Sequence, residues 1–271
     1  MDLGKFGVWM RRTEWEAGLA AELEGLGYGA LWIGGSPSGS LEDVERVLEA
    51  TDHIPVATGI VNMWREDPAI VGRSFLRLNA AHPDRVLLGV GIGHPEATDE
   101  YTRPLDKIDE YLNRLTDEGV PKDRVVLAAL GPRVLAVAAS RTAGAHPYLT
   151  TPRHTRMARR VMGSASLLAP EQKVIVGRGE AESRRIAREM VGRYLGMVNY
   201  RHSLLREGWS EASLQNGGDD RLIDELVLHG DVDGILDGLR AHLDGGADHV
   251  CIQAPGPDAS VSYRELASAL F

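Results

Sequence analysis

The 271-residue chain has one cysteine, few aromatic residues, no excess of positive charge and no long apolar run. A single thiol, Cys251, cannot build an internal disulfide framework or a cysteine-based zinc site, and it suits a reducing cytoplasm. Thirty Lys and Arg against 39 Asp and Glu leave a formal charge of −9, so no nucleic-acid-binding face is expected. Any polyanionic ligand must instead find a local positive pocket. No stretch approaches the ~20 apolar residues of a membrane helix. The opening Met-Asp-Leu-Gly-Lys-Phe-Gly lacks the charged-then-apolar pattern of a signal peptide. The expectation is a cytoplasmic protein that acts on a small molecule and touches neither membrane nor nucleic acid.

What is present is a regular alternation. Short β-branched runs occur at Lys5–Met10, Ala30–Gly34, Val56–Val61, Val86–Gly91, Arg124–Leu130, His146–Thr150, Lys173–Gly177 and His249–Ala254. Several are apolar almost throughout, as strands buried on both faces must be. Helical patterns separate them, at Glu14–Leu26, Leu41–Ala50, Pro68–Ala81, Pro104–Glu118, Pro132–Arg141, Pro152–Met162, Glu180–Glu207 and Val232–Asp244. Four of these begin at a proline, where the missing N–H costs nothing. Alternating strands and helices imply parallel β with right-handed crossovers. Eight such units predict an α/β fold, a single (β/α)8 TIM barrel over residues 1–271, with a doubly wound open sheet as the competitor.

In a parallel barrel the functional groups lie after the C-terminal ends of the strands. The third, fourth and fifth predicted strand ends are rich in glycine: Thr58-Gly59-Ile60, Gly89-Val90-Gly91-Ile92-Gly93 and Leu130-Gly131-Pro132. Glycine lets a backbone approach a planar ring or a phosphate, or simply lets the barrel close. Two histidines, His94 and His146, sit near strand boundaries, each before a proline, and imidazole suits proton transfer near neutral pH or the capping of a turn. No dinucleotide fingerprint, Walker loop, zinc-helix histidine spacing or nucleophile elbow is present, and no metal site is expected. The run Arg153, Arg156, Arg159, Arg160 reads as an anion site or as a solvated helix face.

Six motifs in order carry a resemblance. They are Ala57-Thr58-Gly59-Ile60-Val61-Asn62, Leu88-Gly89-Val90-Gly91-Ile92-Gly93-His94, Ala129-Leu130-Gly131-Pro132-Arg133, Gly144-Ala145-His146-Pro147-Tyr148, Leu168-Ala169-Pro170-Glu171-Gln172 and Gly245-Gly246-Ala247-Asp248-His249-Val250. Together they resemble the bacterial luciferase-like superfamily, in its actinobacterial branch that uses the deazaflavin coenzyme F420. The resemblance implies a redox ring at the barrel mouth, a cis peptide at Gly59–Ile60, and a side-chain contact from Asn62. Gly91, Ile92 and Gly93 would line the ring, and Gly131, Pro132 and Arg133 would hold its phosphate.

It implies hydride transfer at the deazaflavin C5, with His94 as acid or base, Glu96 orienting it or solvated, His146 and Tyr148 contacting substrate, and either His94 or Tyr148 as the proton donor in a reduction. Relatives that oxidise alcohols carry an acidic residue and a histidine after the second strand. Here that stretch reads Trp32-Ile33-Gly34-Gly35-Ser36-Pro37, which favours reduction of a small organic substrate. The resemblance also implies a homodimer. Two alternatives stay open: an FMN-dependent monooxygenase on the same barrel, and a cofactor-binding barrel without turnover.

Overall fold

The computed structural model describes residues 1–94, 96, 103–256 and 258–271. Pro95, the proline that follows His94, lies outside the described residues. The strands are β1 (Phe6–Arg11), β2 (Leu31–Gly34), β3 (Val56–Gly59), β4 (Val61–Asn62), β5 (Val86–Gly91), β6 (Val125–Leu127), β7 (Gly144–Ala145), β8 (Leu167–Leu168), β9 (Glu171–Val176), β10 (Val227–Gly230) and β11 (Val250–Gln253). Their order is β10-β9-β11-β1-β2-β3-β5-β6-β7-β8, with β4 beside β5. All of the pairings are parallel.

The path closes on itself because β8, at its end, and β9, beside β10 at the other, are halves of one stave, interrupted by Ala169 and Pro170. On one side Glu171 N donates to Pro147 O at 2.8 Å; on the other Cys251 N donates to Pro170 O at 2.8 Å. With β3 and β4 likewise counted as one, the described residues form the expected eight-stave barrel. β10 is an additional strand on β9.

The helices are α1 (Ala17–Gly25), α2 (Glu42–Glu49), α3 (Pro68–Ala81), α4 (Pro104–Asp117), α5 (Pro132–Arg141), α6 (Pro152–Met162), α7 (Glu180–Leu195), α8 (Val198–Arg206), α9 (Asp220–Leu226), α10 (Val232–Asp244) and α11 (Ala259–Leu270). α3, α4, α5 and α6 start at their prolines. Asp67 caps α3 by accepting from Ala69 N at 2.7 Å, and Thr151 caps α6 by accepting from His154 N at 3.3 Å. Side chains alternate across each stave. Val8, Met10, Leu31 and Ile33 pack outward under the helices, while Trp9, Trp32, Ala57, Leu87, Val126 and Cys251 fill the barrel interior.

Three expectations change. The stave predicted at His146–Thr150 runs instead at Gly144–Ala145, so His146 follows its end rather than beginning it. The interval from Arg178 to Asp248, expected to hold two or three helices and a polar loop, contains α7, α8 and α9 before α10, and the single helical pattern at Glu180–Glu207 is divided between α7 and α8 at Gly196 and Met197. Neither β10 nor α11 was expected.

One irregularity shapes the mouth. Ala57 pairs with Leu87, but Val61 pairs with Val90, so the β3–β4 stave carries one residue more than β5 over this stretch. The surplus is a bulge at Thr58–Ile60, where the Gly59–Ile60 peptide is cis, as the resemblance implies. The Thr58 hydroxyl patches the broken ladder, accepting from Gly89 N at 2.8 Å and donating to Gly89 O at 2.7 Å. A Cβ on Gly89 would stand 1.9 Å from Thr58 O, and one on Gly91 would meet Ala128 Cβ at 2.8 Å and Ile60 Cδ1 at 3.0 Å. These two glycines make room for the bulge.

Candidate active site

The strand ends open into a cavity of about 1200 Å³. Its floor is Trp9, Gly59, His146 and Tyr148; its walls are Ile60, Asn62, Ile92, Gly93 and His94 on one side and Ala128–Gly131 on another. Tyr194, Asn199 and Tyr200, from α7 and α8, cover it. Of the residues expected from sequence, His94, His146, Tyr148, Gly59, Ile60, Asn62, Ile92, Gly93, Gly131 and Arg133 line this cavity. Gly91, Pro132 and Glu96 do not. Gly91 faces Ile60 and Ala128, and Pro132 forms the exposed first residue of α5.

Glu96 accepts from Val198 N at 3.0 Å, the first N–H of α8, and that bond holds its carboxyl below the ordinary range. It ties the loop after β5 to the helix over the mouth, the kind of anchor an acidic group makes at a helix start.

His94 is half-buried against Tyr200, with ring centroids 5.2 Å apart, and the Asn199 Nδ2 lies 3.0 Å from its Nδ1. Burial lowers its pKa from the ordinary value, more than the Asn199 bond and Glu96 restore. The neutral ring accepts from Asn199 at Nδ1 and carries its proton at Nε2, which makes no hydrogen bond within the described residues. Asn199 Oδ1 is buried and has no partner among the described residues, so rotation of that amide would let it accept from a protonated Nδ1. Asn199 was not foreseen, because the α7–α8 region carries no motif.

His146 is 1% exposed and stacks on Trp32, 4.3 Å between centroids. Its Nδ1 lies 2.8 Å from Ala169 O, and a carbonyl can only accept, so the proton sits on Nδ1. Burial lowers its pKa to about 4, leaving the ring neutral and Nε2 a bare acceptor. Tyr148 donates to Gln253 Oε1 at 3.0 Å, and burial, reinforced by the Glu171 carboxylate, raises its phenol well above the ordinary value. Under it lies a buried ion pair missed by the sequence reading. Lys173 Nζ binds Glu171 Oε1 at 2.8 Å and Gln253 Oε1 at 3.1 Å, and stands 3.9 Å from the Tyr148 ring centroid. Glu171 Oε2 also accepts from Leu149 N at 3.0 Å. Tyr148 is thereby fixed from below and is no free acid.

The rim is cationic. Arg11, Arg12, Arg65, Arg103, Arg133, Arg193 and Arg206 line it, against one carboxylate, Asp106, among the described residues. Asp106 pairs with Arg103 at 3.8 Å, and Arg12 reaches Asp43 at 3.4 Å. The other five have no carboxylate within ion-pair distance among the described residues. Arg133 stands in the first turn of α5, whose free N–H groups add to the positive field. In a chain of charge −9 this is a local reversal of sign. The arginine run on α6 is no part of it. Arg153 donates to Glu207 O at 2.7 Å, and Arg159 clamps Gly246 O at 2.8 Å and Ser166 O at 2.9 Å.

The Luciferase-like monooxygenase family profile matches residues 14–117. The F420-dependent glucose-6-phosphate dehydrogenase of Mycobacterium leprae is 35% identical over 87 residues, 29% of this chain and 26% of that protein. The enzyme of the same name from Kribbella flavida is 26% identical over 103 residues, 33% of this chain and 31% of that protein. The chain thus spans about a quarter to a third of the length of these curated relatives. An F420-dependent secondary alcohol dehydrogenase bound to an F420–acetone adduct superposes with a TM-score of 0.77 at 15% identity, covering 99% of this chain and 98% of that one. The F420-dependent tetrahydromethanopterin reductase of Methanopyrus kandleri gives 0.70 at 15% identity, covering 98% of each chain. An FMN-bound Baeyer–Villiger monooxygenase component from Pseudomonas putida gives 0.69 at 14%, covering 97% and 96%. The chain shares the barrel fold of these structures over 97–99% of its length, matches the Luciferase-like monooxygenase profile at residues 14–117, and is similar in sequence, over 29–33% of its length, to F420-dependent glucose-6-phosphate dehydrogenases.

Proposed function

We propose that the chain is an oxidoreductase that binds coenzyme F420 at the barrel mouth and transfers a hydride between the deazaflavin C5 and a small organic substrate, in the direction of reduction. The observation that carries this reading is the ring of seven arginines, five of them without a carboxylate partner among the described residues, around an aromatic-floored cavity, which fits a planar ring with an anionic tail. When bound, the deazaflavin supplies the hydride. The bulge residues Gly59 and Ile60, with Ile92 and Gly93, offer backbone and apolar surface to a flat ring. Asn62 Oδ1 is taken by Trp64 N at 2.9 Å, while its Nδ2 has no protein partner among the described residues and is free to donate. Arg133 and the start of α5 would hold the phosphate.

His94 handles the proton. In reduction it acts as imidazolium and gives up the Nε2 proton, while Asn199 holds the ring through either protonation state. Burial makes that imidazolium scarcer but a stronger acid. His94→Ala is expected to lower kcat for reduction by about tenfold or more and leave F420 affinity within about twofold. The wild-type rate should rise as pH falls below 6.5 and the variant should lose that limb. Stopped-flow oxidation of reduced F420 against enones and ketones measures both.

Arg133→Glu is expected to weaken F420 by about tenfold to a hundredfold while barely affecting a deazaflavin that lacks the phosphate tail, and the difference should shrink as salt rises. Titration of the protein with F420 and with FMN, read by cofactor fluorescence, tests the reading as a whole. Tighter binding of FMN would replace it with the flavin monooxygenase alternative, whose precedent is the FMN-bound barrel of the same fold.

A further inference from the structure

Two tryptophan–histidine pairs lie one above the other inside the barrel. In the lower pair Trp32 Nε1 donates to His249 Nε2 at 3.1 Å, and His249 Nδ1 donates to Gly4 O at 2.9 Å. Every polar atom of that pair is satisfied. The upper pair, at the cavity floor, has the same chemistry but is left open. His146 Nδ1 is committed to Ala169 O, its Nε2 is a bare acceptor, and Trp9 Nε1 is a donor. Both of these atoms are buried and have no hydrogen-bond partner among the described residues. Trp9 is 5% exposed, so each side chain is more than nine-tenths buried.

The two open atoms converge. A Cβ built on Gly59 would stand 2.5 Å from Trp9 Nε1 and 3.3 Å from His146 Nε2. Glycine leaves that space to the cavity, which all three residues line. Burying an unpaired donor beside an unpaired acceptor is costly, and a single oxygen that accepts from one and donates to the other removes both costs. Only a hydroxyl or water oxygen does both. A carbonyl oxygen satisfies Trp9 and leaves His146 Nε2 facing a second lone pair.

We infer that Trp9 Nε1 and His146 Nε2 form a binding site for the hydroxyl of an alcohol, placed so that the rest of the molecule faces the aromatic side of the cavity. Tyr148 packs on Trp9 with centroids 5.2 Å apart and on Tyr194 at 5.7 Å, and these rings give an alkyl or alicyclic skeleton its apolar contact. The site names the substrate class of the proposed oxidoreductase as an alcohol–carbonyl couple whose alcohol member is held more tightly. Its catalytic meaning rests on the F420 reading; the binding itself does not.

The test uses the full chain without cofactor, labelled with 15N, titrated separately with cyclohexanol and cyclohexanone. The Trp9 indole resonance is assigned by its loss in Trp9→Phe, and the His146 Nε2 resonance by its loss in His146→Phe. Cyclohexanol is expected to move both resonances and to bind about tenfold more tightly than cyclohexanone, which should move only Trp9. Trp9→Phe, which keeps the ring and removes the N–H, should bring the two affinities within about twofold, as should His146→Phe where it folds. Equal affinities in the wild type, or an undiminished preference in Trp9→Phe, would overturn the site and leave the pair holding water alone. F420 titration of the same sample separates the two ideas. Cofactor binding in a sample whose Trp9 is unmoved by cyclohexanol defeats the hydroxyl site; alcohol binding without cofactor binding defeats the function and leaves the site standing.

Discussion

The melting temperature should fall by roughly 10–20 °C between pH 7 and pH 5. Four fully buried histidines have lowered pKa values: His146, His154 and His249 at about 4 and His242 at about 3, in each case mainly because burial penalises the charged ring. Unfolded, each returns to about 6.5. Between pH 6.5 and 4 the unfolded chain therefore binds protons that the folded chain refuses, and stability falls as pH falls.

Glu207 works the other way. Burial raises it to about 7, so its folded form is protonated at pH 5 while the unfolded form is partly ionised, and it regains stability on acidification. Four groups against one leave a net uptake of about two to three protons on unfolding, worth about 5 kcal/mol over the interval. That is a large share of a typical total of 5–15 kcal/mol, and at ~2–4 °C per kcal/mol it gives the stated shift. Calorimetry across pH measures it. A flat profile would mean that these rings have access to water in the folded state.

Lys173→Met should destabilise the fold by about 3–5 kcal/mol, because it leaves the Glu171 carboxylate, 0% exposed, without a counter-charge. The double variant Lys173→Met/Glu171→Leu should recover most of that loss, since apolar replacements of similar volume remove the stranded charge altogether. Urea unfolding of the three proteins reads the difference. Equal loss in single and double variants would show that the ammonium's seat under Tyr148, rather than its charge on Glu171, sets its value.

The framework was legible where chain chemistry is local. α3, α5, α6 and α10 have the expected bounds because a proline or a capping Asp or Thr fixes the first turn, and β5 does because Val86–Gly91 is apolar throughout. The stave misplaced at His146–Thr150 failed for a long-range reason: pairing with β6 stops at Ala145, and Pro147 has no N–H to continue a ladder. The α7–α8 break and β10 likewise depend on partners far along the chain.

At the site, His94, His146 and the bulge could be read from motifs, but the roles of their neighbours could not. Gly91 looked like ligand surface and proved to be clearance for Ile60. The α6 arginines read as an anion site or a solvated face, and Arg153 and Arg159 are instead spent on carbonyls that only the fold brings near. Glu171 and Lys173, two apart on one strand, point to the same face, a period-two signal present in the sequence but obscured by the apolar residues beside them.

The lone thiol offers a built-in clock. Cys251 lies at the barrel axis with Sγ 3.7 Å from His146 Nδ1, and burial raises its pKa well above the ordinary value. A thiol reagent can reach it only when neighbouring staves part, so labelling at low reagent concentration reports how often the barrel opens. With no second sulfhydryl in the chain, that reading comes from one position and requires no engineering.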